Sequence, residues 1–324
     1  MREPIQTTIN HRELTTCLPL PEELLDDPAK NLLFDLSYLG VIDVIGPQGR
    51  DFLQGQLSCD VREVNAEHMR QGAMCNLKGR VLMLLDVLDW RGLHLVLPRD
   101  LQERTERLLS KPAALSRVTV QQAPHYAVFG FCLNNKADLL PFNWALPTVR
   151  FDMVSHEEGC CYNLGDGAYL ILIDAAHQEA LTQPFINKQQ WRGSLAWHAR
   201  RLQQGHIEIY PESSGLFLPH RLDLQQSGQL NFNKGCYKGQ EIIARTHYRA
   251  TLKHALKQFK IKALAPLRSG LKLFADEGKI EIGELVDFCP IGGQEFIIVA
   301  SIVFEHKTQC FMGEHNERIT LTPC

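Results

Sequence analysis

From Ala250 onward the sequence offers one strand pattern after another and no helix between them. Candidate strands cover 255–261, 271–274, 280–287, 295–302 and 319–321. Turn signals separate them at 267–270, 276–278 and 290–293, each carrying glycine. Helix-free strands must satisfy their edges by pairing among themselves, so 250–324 is expected to form a small, partly closed β-barrel.

The preceding 249 residues read differently. Pro4, Pro19, Pro21 and Pro28 interrupt 1–31, which is expected to be a loop-like N-terminal extension. A strand over 41–45 stops at Gly46-Pro47, and 49–57 suits a short helix with Phe52, Leu53 and Leu57 on one face. Strands are expected over 72–76, 81–90 and 92–97, the last two joined at Arg91-Gly92 as a hairpin, followed by a charged helix over 101–110. The alternation returns with strands over 126–131 and 169–174 and helices over 175–181 and 189–204. Helices and strands alternate, but the hairpin argues for antiparallel pairing, which makes the class α+β. With roughly 150 residues per domain, 324 residues suit two parts, 1–249 and 250–324.

Charge and patterning exclude several classes. Lys and Arg number 34 against 37 Asp and Glu, so no global field draws the chain to nucleic acid or membrane. The longest apolar stretch, 296–304, is far short of the roughly 20 residues of a spanning helix. Residues 1–20 lack the apolar run of a secretory signal, which points to a cytoplasmic protein with reduced cysteines. Nine of the ten cysteines are expected to be small buried hydrophobes, and no metal site is expected, since C-x-x-C and H-E-x-x-H spacings are absent. P-loop, G-x-S-x-G and G-x-G-x-x-G patterns are absent too.

The densest chemistry lies at Asn233-Lys234-Gly235-Cys236-Tyr237-Lys238-Gly239-Gln240-Glu241. Lysines on both sides of Cys236 would favour its thiolate, making it a candidate reactive thiol. A tight turn around an inert, buried thiol is the other reading, and the commoner one for cysteines. Lys234, Lys238, Arg245, Arg249, Lys253, Lys257, Lys260 and Lys262 face a single acid, Glu241, over 234–262. Such an excess suits an anionic ligand, an RNA surface or merely a solvated face. Aromatics here are few (Tyr237, Tyr248, Phe259), which weighs against direct nucleic-acid binding. On a helix over 189–204, Trp191, Leu195, Ala199 and Leu202 share a stripe that Trp197 opposes. An aromatic so placed meets a second domain or stacks on a flat ligand.

The run Lys234-Gly235-Cys236-Tyr237-x-Gly239-Gln240-Glu241, with Ile243-Ala244-Arg245 and Tyr248-Arg249 behind it, resembles the signature of the YgfZ family. These proteins are relatives of the glycine-cleavage T-protein and include a mitochondrial iron–sulfur assembly factor. The resemblance extends to Leu39-Gly40-Val41-Ile42, to Phe52-Leu53-Gln54-Gly55-Gln56-Leu57-Ser58, to Cys75-Asn76-Leu77-Lys78-Gly79-Arg80-Val81, and to Ser214-Gly215 with Phe217-x-Pro219.

It implies a T-protein-like fold, with two interleaved α+β subdomains and a C-terminal β-barrel around a channel that binds tetrahydrofolate or a derivative. Trp197 would then stack on the folate rings, with Tyr38 near the position of a second family tryptophan. Gln56, Lys234, Tyr237, Gln240, Glu241, Arg245 and Arg249 would complete the folate contacts, the basic residues meeting its glutamate tail. The implied role is a folate-binding accessory protein that works with iron–sulfur client or assembly proteins and thereby supports tRNA modification, with no membrane partner. T-proteins carry an acid just past the Gly79 turn, where this chain has the apolar run 81–85, so glycine-cleavage activity is not expected. Two competing readings are a folate-dependent aminomethyl- or methyltransferase using Asp86 or Glu208, and a direct tRNA-binding module acting through 234–262.

Overall fold

The N-terminal stretch is a hairpin, not a loop. In this computed structural model, which describes residues 5–25, 27–135, 140–275, 280–305, 308–313 and 317–324, Ile5–Ile9 (β1) pairs antiparallel with Arg12–Thr16 (β2). The turn residues Asn10 and His11 have φ of 48° and 63°, the left-handed pair of a two-residue hairpin loop. Pro19 and Pro21 open the single helical turn Leu20–Glu23 (α1), where a missing N–H costs nothing. Proline thus marks the end of the hairpin rather than its absence.

Two antiparallel sheets follow, and the chain weaves between them. Leu32–Asp35 (β3) begins one sheet. The chain then builds Leu39–Ile45 (β4), Gly49–Gln54 (α2), Arg70–Cys75 (β5), Val81–Asp89 (β6), Leu93–Pro98 (β7), Arg99–Leu115 (α3) and Thr119–Gln122 (β8). These strands pair in the order β5-β6-β7-β4-β8. The chain then returns with Tyr126–Cys132 (β9), which pairs with β3. Met153–Ser155 (β10), Gly159–Gly165 (β11), Ala168–Asp174 (β12), Gln178–Asn187 (α4), Trp191–Arg192 (β13) and Ser194–Gln203 (α5) complete this half. The second sheet has the order β10-β11-β12-β9-β3-β13, with the β13–β3 pair its one parallel contact. One subdomain is therefore inserted between β3 and β9 of the other.

The helix expected over 189–204 is split. A Cβ on Gly193 would lie 2.1 Å from the Thr15 carbonyl oxygen, so β2 presses on the backbone there. Trp191 consequently pairs as a strand residue and α5 starts at Ser194. The strands β10 and β11 escape a periodicity search because β11 is buried on both faces and shows no alternation.

Gln240–Arg249 (α6) leads into His254–Lys262 (β14), Lys272–Ala275 (β15), Ile280–Gly292 (β16), Glu295–Val303 (β17), Gln309–Met312 (β18), Glu317–Thr320 (β19) and Thr322–Pro323 (β20). Their sheet order is β19-β18-β15-β16-β17-β14-β20. β19 and β20 stand at opposite ends of that order yet are separated by Leu321 alone, so the seven strands curl into a nearly closed barrel. The turn expected at 276–278 lies outside the described residues. One apolar core joins the barrel to the sheet containing β9, through Trp197, Phe259, Leu285 and Ile298. A second fills the sheet containing β6 and reaches Tyr237 and Ile243 of the motif segment.

Candidate functional site

Helix α5 is enclosed on nearly every side: Leu195, Ala196, Trp197, His198, Ala199, Arg201 and Leu202 are all buried. Trp197 does not stand on an open face as helical spacing suggests; it is 4% exposed. Its ring packs on Phe34 at 5.4 Å, in a recess that exists because residue 130 is glycine. A Cβ there would come within 2.5 Å of the indole.

Trp197 also borders a cavity between the two sheets and α5. Tyr38, Gln71, Asp86, Arg201, Glu208 and Gln229 share its wall. Asp86 comes from β6, just past its apolar run 81–85. The Gln71 Nε2 donates to it at 2.9 Å and the Tyr162 hydroxyl at 3.0 Å. Burial raises its pKa to about 6, against the lowering effect of those two donors. Because the Gln71 amide nitrogen serves Asp86, its Oε1 is buried without a donor. Gln229 Oε1 is in the same condition. This wall is therefore rich in acceptors, a composition that suits a ligand edge bearing N–H groups.

The opposite electrostatics come from Arg201 and His206, which also line the cavity. Burial lowers Arg201 to about 10, so it stays charged at neutral pH. Burial, helped by Arg201 and Arg150, drives His206 down to about 3, so it is neutral. Glu208 is fixed by two donors. The Tyr38 hydroxyl donates to its Oε1 at 2.5 Å, and Arg12 of the N-terminal hairpin bonds its other oxygen. Arg12 also forks onto Asp100 at 2.8 and 2.9 Å and lies over the Tyr210 ring at 4.3 Å. Behind Glu208, Asp287 of the barrel accepts from the Glu208 backbone N–H at 2.8 Å and from the Tyr210 hydroxyl at 2.7 Å. Asp287 also faces His198 Nε2 at 3.3 Å. One polar network thus ties the hairpin, α5 and the barrel to the cavity wall.

Of the residues singled out in the sequence, Trp197 and Tyr38 line this cavity, and so do Asp86 and Glu208 of the competing reading. Gln56, Lys234, Cys236, Tyr237, Gln240, Glu241, Arg245 and Arg249 do not line it. Lys234 is buried, its Nζ donating to the carbonyls of Gln54, Leu57 and Cys59 at 2.8, 2.7 and 2.6 Å. It closes the C-terminal end of α2, where unpaired carbonyls gather. Tyr237 is buried beside it, with Lys234 Nζ 5.1 Å from the ring centroid. The Gln240 Oε1 accepts the Tyr237 backbone N–H at 3.4 Å. Glu241 and Arg245 pair one helical turn apart at 3.1 Å on the exposed face of α6, where Arg249 is also exposed. Gln56 is half-buried just past α2.

Cys236 is exposed, as the reactive reading requires. Of the nine other cysteines expected to be buried, seven are; Cys17 is half-buried and Cys324 exposed. Gln71, Arg201, His206 and Gln229 carry no mark in the sequence. Asp86 does carry a signal there, as a charge next to the apolar run 81–85.

No family model matches the chain. It is 28% identical over 251 residues to the tRNA-modifying protein YgfZ of Colwellia psychrerythraea, covering 75% of each chain. It is 26% identical over 271 residues to the protein of the same name from Sodalis glossinidius, covering 82% of this chain and 80% of that one. The glycine cleavage system aminomethyltransferase T from Bartonella henselae superposes with a TM-score of 0.66 over 98% of this chain and 93% of that one, at 16% identity. Among the described residues no helix is long and apolar enough to cross a membrane. The chain is thus a relative of the YgfZ proteins, built on the fold of the glycine-cleavage T-protein.

Proposed function

We propose that the cavity beside Trp197 binds a tetrahydrofolate and that the protein is a folate-binding accessory factor in tRNA modification, acting in the cytoplasm through maturation or repair of an iron–sulfur enzyme. The observation that carries the folate reading is the pairing of Trp197 and Tyr38 with an acceptor-rich wall in one cavity. A reduced pterin has N–H groups on its ring edge, and Asp86, Gln71 Oε1 and Gln229 Oε1 offer them acceptors. When bound, the folate would supply or accept a one-carbon unit. Trp197 and Tyr38 would border its rings, Glu208 is held by Tyr38 and Arg12, and Arg201 would offer a buried cation to an anionic group.

The tRNA link rests on the name that the relatives carry. The iron–sulfur link rests on the family resemblance of the Cys236 segment. One exposed thiol supplies one ligand where clusters take four, so Cys236 would meet a cluster only together with a client's own cysteines.

A second reading, folate-dependent aminomethyl or methyl transfer, is favoured by one observation: Asp86 and Glu208 both border the cavity. With its pKa near 6, Asp86 is suited to accept a proton at neutral pH. Calorimetry with tetrahydrofolate tests the binding claim. Binding that collapses in Trp197→Ala and weakens about tenfold in the shape-preserving Asp86→Asn supports it; a folded wild type that binds no folate overturns it. Turnover of formaldehyde-charged tetrahydrofolate would transfer the conclusion to the second reading.

A further inference from the structure

The basic segment that flanks α6 is not part of the cavity, and the fold sorts its charges. Lys234 is buried under three carbonyls, Arg245 is paired with Glu241, and Lys262 is paired with Glu295. Lys238 precedes α6, while Arg249 ends it and Lys253 follows; none of these three has an acidic partner among the described residues. Cations therefore stand at both ends of a ten-residue helix, about 15 Å apart along its axis.

The fold also assembles aromatic rings that the sequence scatters. Tyr237 and Phe259 are buried and contribute nothing to the surface. In their place Phe232 comes against α6 and stacks on His247, with ring centroids 3.9 Å apart and planes 17° apart. Tyr248 stands edge-on to both rings, at 4.8 Å from His247 and 6.2 Å from Phe232, and is 70% exposed. His220 backs His247 from the buried side at 5.8 Å, with both of its ring nitrogens lacking a partner.

We propose that Phe232, His247 and Tyr248, flanked by Lys238, Arg249 and Lys253, form a stacking platform for unpaired bases of an RNA. Flat rings accept a base of any identity on their faces, and unpaired cations at both ends attract the phosphates that run beside it. A protein partner suits the patch less, because interface cores are depleted in lysine. The bases must be unpaired, since a duplex keeps its π-faces stacked inside. The platform lies apart from the cavity and does not rest on the folate reading.

The test is fluorescence anisotropy with a short labelled RNA hairpin carrying an open loop and a fully paired duplex of equal length, read across a salt series. The hairpin is expected to bind more tightly than the duplex. Tyr248→Ala is expected to weaken hairpin binding about tenfold. Arg249→Gln combined with Lys253→Gln is expected to lower the salt slope by roughly 1.4, about 0.7 for each phosphate that is no longer neutralised. Exposed Tyr248 leaves folding intact on replacement, which thermal melting verifies. Equal affinity for hairpin and duplex, hairpin binding unchanged by Tyr248→Ala, or no RNA binding at low salt each overturns the platform. Tetrahydrofolate calorimetry on Tyr248→Ala reports separately on the cavity.

Discussion

Gly239 and Gly79 meet backbone to backbone. A Cβ on Gly239 would stand 3.1 Å from the Gly79 Cα and 2.4 Å from the Asn76 carbonyl oxygen. Both residues have positive φ, 85° and 70°. The contact clamps the motif loop onto the turn that launches β6, the strand that carries Asp86 into the cavity. Gly239→Ala combines a left-handed backbone with a clash against backbone atoms, neither of which can give way cheaply. It is expected to cost about 3 kcal/mol or more. Urea unfolding should show the midpoint falling with an unchanged slope; an unmoved midpoint would mean that the clamp contributes nothing to stability.

Asp86 is held at a cost to stability. Its carboxyl rises from 3.8 to about 6 on folding, so the folded state binds more protons between those values. Stability from this group is whole below pH 3.8 and is lost as pH rises through 6, by up to about 3 kcal/mol. Asp86→Asn should flatten stability between pH 4 and 6 and be no less stable than wild type at pH 7. The same change should weaken tetrahydrofolate binding about tenfold, the trade expected of a functional carboxylate. A variant that unfolds more easily at pH 7 would instead assign Asp86 a purely structural role.

The His198–Asp287 contact titrates in the other half of the pH scale. Burial alone would depress the imidazole, but Asp287, reinforced by Glu208 and the Phe288 carbonyl, outweighs it and raises the pKa from 6.5 to about 9. The stabilisation is complete below pH 6.5 and lost as pH rises through 9, worth up to about 3 kcal/mol. His198→Gln should abolish the stability slope between pH 6.5 and 9 that wild type shows in denaturant melts. A slope that persists in the variant would place the titrating group elsewhere.

Thiol accessibility is the simplest readout of the motif loop. Cys236 and Cys324 are exposed, whereas burial raises the Cys59 and Cys75 thiols to about 12 and Cys310 to about 11. Half-buried Cys17 is also raised to about 12, by burial and then by Glu23 and Asp35. A disulfide reagent at neutral pH should therefore label two thiols quickly in the native protein. Cys236→Ser and Cys324→Ser should each remove one. Fast labelling that survives both replacements would show the buried set to be open.

What the sequence determined by itself is local. The strand runs after Ala250, the hairpin at Arg91-Gly92 and the alternation of helix and strand all follow from short-range periodicity and turn chemistry, and the structure has them. The motif from Lys234 to Glu241 carries enough specific residues to show the resemblance to the YgfZ proteins and, through it, the fold. Tertiary structure decided what each motif residue does. Lys234 stands among charges in the sequence, yet its ammonium belongs to three carbonyls near α2, because only folding brings that helix end to it. Asp86 lies beyond the apolar run that replaces the T-protein acid, yet β6 delivers it to the cavity. Phe232 and His247 become a pair, and Gln71 and Gln229 lose their donors, only when separate segments pack. Periodicity reports which face of an element is apolar; which distant side chain meets that face, and which polar atom is left unpaired, depends on contacts that no local window contains.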